Sequence, residues 1–141
     1  MSEILGLGSD LVRIDRIARI GARDRRLFFE RVLGPEEKEL LADSMDWARC
    51  ARHVAAKEAL FKALGSGLVD GMHWSDVELS HTAEGRAQLK VSGASGARLA
   101  ALGDTSVAIS LSSDRHYAMA IVILTRTGSA TLPCRAAPSD E

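Results

Sequence analysis

Glu58 and Lys62 stand four residues apart in the stretch from Trp47 to Leu64, which holds no glycine or proline and is rich in alanine. A helix there stacks a carboxylate and an ammonium on one face. The helix exits into Gly65-Ser66-Gly67, and glycines in such a turn bare backbone N–H groups that can bind phosphate. Asp10, after Gly8-Ser9, falls at or near the end of a buried first strand. If the fold sets it beside Glu58, the two carboxylates repel unless a hard cation shares them, an arrangement Mg²⁺ accepts alongside phosphate oxygens and waters.

Each residue also has a plainer reading. Glu58 and Lys62 could be an ordinary surface pair worth ~0.2–0.5 kcal/mol, and Asp10 could cap the helix that follows. At about 100° per residue, Cys50, Val54, Phe61 and Leu64 form the buried stripe of the long helix, with Glu58 and Lys62 beside it. Ala51 and Ala55 on that flank are small enough to admit a ligand. His53 precedes Glu58 on the same helix and could meet an anion, or be a solvated helix histidine. His73, His81 and His116 have no spacing that defines a metal site.

Between Leu11 and Arg26, six arginines (Arg13, Arg16, Arg19, Arg23, Arg25, Arg26) face only Asp15 and Asp24, a local excess of four positive charges in a chain of formal charge −1. A near-neutral protein with one basic helix fits docking of an acidic protein better than wrapping DNA.

These residues need positioning elements. Ile4 to Val12 reads as a strand whose Gly6 and Gly8 permit close approach to its backbone. Leu11 to Arg26 carries helical periodicity, Gly34-Pro35 starts a helix running to about Ala42, and Trp47 to Leu64 is the long helix capped by Gly65. Residues 76–80 and 87–92 read as a hairpin about Glu84-Gly85, 95–102 as a short helix, and 106–112 with 117–124 as a closing hairpin. The order implies one compact α+β domain over residues 1–125. Residues 126–141, low in hydrophobicity with two prolines, read as an unstructured tail.

Composition narrows the function classes. The 141 residues, 46% hydrophobic, suffice for one core. Six aromatic residues leave little for a base-stacking platform. Cys50 and Cys134 are too few for a disulfide scaffold, and the acidic, glycine-broken N-terminus lacks the pattern of a signal peptide. No apolar stretch approaches the ~20 residues of a membrane span. The expectation is a soluble cytoplasmic protein that binds neither nucleic acid nor membrane.

Taken together, GLGSDLVRIDRI, RHVAAKEALFKALGSG and SLSSDRHYAMAIVIL, in that order, resemble the holo-acyl carrier protein synthases, the small 4′-phosphopantetheinyl transferases. The resemblance spans about Ile4 to Leu124. It implies an α+β fold, an antiparallel sheet packed against one long and several short helices, and a homotrimer with active sites between subunits. It implies coenzyme A as donor: a serine hydroxyl of an acidic acyl carrier protein attacks the β-phosphate and releases adenosine 3′,5′-bisphosphate. Asp10 and Glu58 match the family's Mg²⁺ ligands, and Lys62 the lysine beside the pyrophosphate. Glu58, directly or through a water on the metal, is then the base. Arg52, His53, Lys62, Gly65, Gly67 and Ser112 are the candidate coenzyme A contacts, and Arg13, Arg16, Arg19, Arg23 and Arg26 the candidate carrier-docking residues. Many members carry arginine where this chain has His53 and histidine where it has Ser113. These departures suggest an alternative, a catalytically impaired homologue that still binds the carrier.

Overall fold

The computed structural model describes residues 3–44, 46–69 and 71–126. The elements run β1 (Glu3–Arg13), α1 (Ile14–Arg23), α2 (Arg25–Val32), α3 (Pro35–Leu41), α4 (Trp47–Ala63), a single 3₁₀ turn (Trp74–Asp76), β2 (Val77–His81), β3 (Ala87–Val91), α5 (Gly93–Ala100), β4 (Thr105–Ser113) and β5 (Tyr117–Arg126). They build a three-stranded antiparallel sheet of order β1-β5-β4 and a separate β2-β3 hairpin. Strand β5 sits in the middle. Its Ala118, Ala120, Val122 and Leu124, each 0% exposed, alternate onto the face covered by α4.

Glycine sets how closely α4 approaches β1. A Cβ on Gly8 would stand 2.0 Å from the carbonyl oxygen of Ala59, and one on Gly6 would stand 2.1 Å from that of Ala63. The element that needs the bare backbone of β1 is therefore α4 itself. Ala51, Ala55 and Ala59 are 0% exposed, so the small residues of α4 serve this packing and do not admit a ligand.

The arginine-rich stretch is not one helix. β1 continues through Arg13, and the helical run breaks at Asp24, whose carboxylate accepts a hydrogen bond from the Leu27 amide at 2.9 Å and starts α2. Asp10 is no helix cap: it lies within β1, and the N-cap of α1 is Arg13. The short helix α5 begins two residues before the expected 95. Arg126, assigned to the tail, instead closes β5 and pairs with Glu3 at 3.0 Å. The rest of the expected tail, 127–141, lies outside the described residues.

The core also encloses charge. Glu37 is 1% exposed and Lys57 0%. Glu37 Oε2 accepts from the Gly34 amide at 2.8 Å and from Lys57 Nζ at 2.6 Å; its Oε1 accepts from the Leu79 amide at 2.9 Å and contacts His53 Nδ1 at 2.6 Å. Lys57 also donates to the carbonyls of Val32 and Trp74. Full satisfaction makes a buried ion pair tolerable. The network ties α3, α4 and β2 together.

Candidate active site

The two-residue period of β1 settles where Asp10 points. Gly8, Asp10 and Val12 pair with Val122, Ala120 and Ala118 of β5, all on the face beneath α4. Helix α4 presents Glu58 and Lys62 along the flank bordering β1. Lys62 Nζ accordingly donates to Asp10 Oδ1 at 2.9 Å and to the Ser9 carbonyl at 3.0 Å. Glu58 completes the group, close enough to both for their charges to act on it.

The electrostatics follow from this crowding. Partial burial raises the Glu58 carboxyl above its ordinary value, the Asp10 charge adds to the rise, and Lys62 offsets part of it. Lys62 is raised chiefly by its hydrogen bond to Asp10, and the Asp10 and Glu58 charges reinforce this. A base lifted toward neutrality beside a firmly protonated cation can take a proton and hold a phosphate oxygen.

These three residues line a cleft of about 660 Å³ between β1, α1, α2 and α4. Apolar side chains, among them Ile17, Phe28 and Val54, form much of its wall, and Arg16, Arg23 and Arg31 supply positive charge. Among the described residues no group of three or more His, Cys, Asp and Glu side chains could hold a metal ion on its own. Two hard carboxylates nonetheless suit Mg²⁺, which keeps waters and takes substrate oxygens rather than a full protein cage.

The other expected residues divide. Arg52, His53 and Ser112 line a second cleft, of about 520 Å³, with Arg49, His81 and Ser113. They do not join the Asp10–Glu58–Lys62 group. His53 is 7% exposed and held by Glu37, so it is not a solvated histidine. Gly65 and Gly67 adopt φ of 79° and 63° with open space around them, but their N–H groups already donate to the carbonyls of Lys62 and Phe61. They close α4 and offer no bare donors to phosphate.

Of the candidate docking arginines, Arg16 and Arg23 border the first cleft, whereas Arg13 and Arg19 both pair with Asp15, at 2.8 and 2.9 Å. Arg26 is exposed and lines neither cleft. Arg25 stacks over Phe29 and Trp47, 4.9 and 5.3 Å from their ring centroids. Sequence reasoning missed Arg31, which α2 brings round to the cleft, and Arg49 and His81, which join the second one. It also missed Lys57, although a signal existed: at about 100° per residue Lys57 falls inside the apolar arc of Cys50, Val54, Phe61 and Leu64, where a charge needs a buried partner.

Comparison with known proteins identifies the family. The family model described as 4′-phosphopantetheinyl transferase superfamily matches residues 6–122. A holo-[acyl-carrier-protein] synthase of Acidithiobacillus ferrooxidans is 44% identical over 128 residues, covering 89% of this chain and 99% of that protein. The crystal structure of the holo-[acyl-carrier-protein] synthase from Neisseria meningitidis superposes with a TM-score of 0.77 at 28% identity, over 86% of this chain and 98% of that one. The Helicobacter pylori enzyme, solved in complex with coenzyme A, gives 0.73 at 29% identity, over 84% and 98%. The chain belongs to the 4′-phosphopantetheinyl transferase superfamily, among its holo-acyl carrier protein synthases.

Proposed function

We propose that this chain transfers the 4′-phosphopantetheine group of coenzyme A to a serine of an apo acyl carrier protein and releases adenosine 3′,5′-bisphosphate. The observation that carries the reading is the convergence of Asp10, Glu58 and Lys62 at one cleft, from a strand and a helix far apart in sequence. Asp10 and Glu58 would hold Mg²⁺, which supplies charge neutralisation at the pyrophosphate. Glu58 takes the proton of the serine hydroxyl as its oxygen bonds to the β-phosphorus and the bond to the departing bisphosphate breaks. Lys62 orients the phosphate oxygens and balances charge on the leaving side. None of the three is missing, so the departures at His53 and Ser113 do not favour an impaired homologue.

The acidic carrier docks on α1 and its surroundings, with Arg16 and Arg23 nearest the reacting centre and Arg13, Arg19 and Arg26 further out on the exposed face. Coenzyme A's 3′-phosphate end takes the second cleft, at Arg52, His53 and Ser112. Because Glu58 and Lys62 leave α4 on one side and Arg52 and His53 on the other, we assign the two clefts that serve one donor to neighbouring copies of the chain. The outer face of the sheet supports such an assembly: Leu7 and Leu11 of β1 are 65% and 63% exposed, and their register partners on β5 are Ile123 and Met119. Unpartnered aliphatics of this kind mark an interface, and a homotrimer is the assembly we propose. Among the described residues no helix is long and apolar enough to cross a membrane; we place the activity in the cytoplasm, where coenzyme A and carrier proteins meet.

The test is to incubate the purified chain with apo acyl carrier protein, coenzyme A and Mg²⁺ and weigh the carrier by mass spectrometry. The reading predicts a carrier heavier by one phosphopantetheine. No adduct across a panel of fatty-acid and polyketide carriers would reject it.

A further inference from the structure

Lys57 immediately precedes Glu58 on α4, yet the reaction as proposed makes no use of it. The side chain is 0% exposed. An ammonium carries three donor hydrogens and a strongly hydrated charge, so a buried one needs three acceptors and a counter-charge. Glu37 Oε2 supplies the charge at 2.6 Å, and the carbonyls of Val32 and Trp74 take the other two hydrogens, the latter at 3.3 Å. A buried pair of this kind is not the only way to stabilise a core, because apolar residues of similar volume often serve it as well or better. What they lack is a directional bond to a chosen carbonyl.

The two carbonyls belong to one wall of the first cleft. Val32 ends α2, where a helix leaves its last carbonyls without intrahelical donors. The amide four residues on, that of Glu36, donates to Glu78 instead, and Lys57 takes the Val32 carbonyl. Trp74 opens the 3₁₀ turn, and its carbonyl also accepts from the Val77 amide. Both residues line the cleft of Asp10, Glu58 and Lys62. The Trp74 ring meets the buried Phe61 ring edge-on, with centroids 5.7 Å apart and planes at 82°. Phe61 lies one turn beyond Lys57 on the same helix. Helix α4 therefore holds Trp74 twice, by its ring and by its carbonyl, and holds α2 by its last residue.

We propose that Lys57 is a positioning residue for the transfer reaction: from the position before Glu58 it pins Val32 and Trp74, so that the acid and this wall keep one geometry. The proposal rests on the reading that transfer takes place in this cleft. Lys57 touches no substrate and acts through the two residues it holds. Reacting groups seated between the wall and Glu58 must meet at about 3–3.5 Å, and a displacement of about 1 Å can cost about 10²-fold in rate. Asp10 and Lys62 are held by β1, α4 and their own contact, outside the bonds of Lys57. Losing Lys57 should accordingly slow turnover without changing the Mg²⁺ demand of the site.

The test compares Glu37→Gln with Glu37→Gln/Lys57→Met in the full chain, labelled with 5-fluorotryptophan. Both variants lack the Glu37 charge, so the difference between them belongs to Lys57, and the double variant buries no unpaired charge. The chain has two tryptophans. Trp47, packed on Phe28 and Phe29, stands apart from the bonds of Lys57 and serves as the internal control, and Trp47→Phe assigns the two fluorine resonances. Against Glu37→Gln, the folded double variant should shift or broaden the Trp74 resonance but not that of Trp47. Its kcat for carrier modification should fall about 10- to 100-fold, with the Mg²⁺ concentration for half-maximal rate within about twofold. An unfolded double variant, an unmoved Trp74 resonance, an equal kcat, or a slower rate that follows a raised Mg²⁺ requirement overturns the proposal. If Glu37→Gln alone does not fold, the double variant is read against the parent by the same criteria. A parent that gives no adduct overturns the functional reading and the positioning role with it, whereas a parent that reacts beside an unmoved Trp74 resonance overturns the positioning role alone.

Discussion

At the scale of single residues, Glu58, the proposed base, sits in surroundings that disfavour its charge. Burial and the neighbouring Asp10 raise its carboxyl, so the folded protein binds that proton more tightly than the unfolded chain does. The ionised form therefore weakens the fold, increasingly so as pH rises through the raised value. Glu58→Gln should abolish transfer while raising thermal stability at neutral pH by up to about 1 kcal/mol; a melting curve and the adduct assay measure both. The buried Glu37 behaves in the opposite way. The His53 hydrogen bond and the Lys57 charge hold its carboxyl below the ordinary 4.5, so its contribution is present above that value and disappears as pH falls below it. Melting temperature should drop on acidification below about pH 4.5, and Lys57→Met, which strands the Glu37 charge, should cost about 3–5 kcal/mol in denaturant titration at neutral pH.

At the scale of elements, the geometry of the proposed site depends on how closely α4 lies on β1. Gly8→Ala pushes a methyl group against the Ala59 carbonyl, where neither backbone can yield cheaply. It should cost about 2–3 kcal/mol and lower the transfer rate by displacing Glu58 and Lys62 from Asp10. Gly67→Ala meets nothing within 4 Å and bears only the strain of its φ of 63°. Its cost should be about 1 kcal/mol with little change in rate. Helix α4 was legible in the sequence because nothing interrupts it between the Asp46 cap and Gly65. The placement of Asp10 was half legible: its parity with Gly8 predicts a shared face, but only the packed helix shows what covers that face. The break at Asp24 was hidden because helical periodicity in the arginine-rich run continues across a residue whose side chain caps a new helix. The second cleft was illegible because β2, β4 and α4 meet there through tertiary packing alone.

At the scale of the whole molecule, the proposed homotrimer, in which each active site would draw on two chains, would be held by the exposed outer face of the sheet. Leu7→Asp places a charge in the middle of the exposed aliphatic face, at a residue 65% exposed in the single chain, without touching the core. Light scattering after size exclusion should show the variant as a folded monomer, and its transfer rate should fall with the loss of the assembly; a monomer of full activity would refute interfacial sites. The central claim, that Asp10 and Glu58 share a divalent ion beside Lys62, is tested most directly by the initial rate of carrier modification against Mg²⁺ concentration for the parent and for Asp10→Asn. The account predicts no transfer by the chelator-treated parent, saturable recovery with Mg²⁺, and a folded Asp10→Asn protein slower by about 10²-fold or more at every concentration. Full-rate transfer without a divalent ion, or an Asp10→Asn variant as fast as the parent, would contradict it.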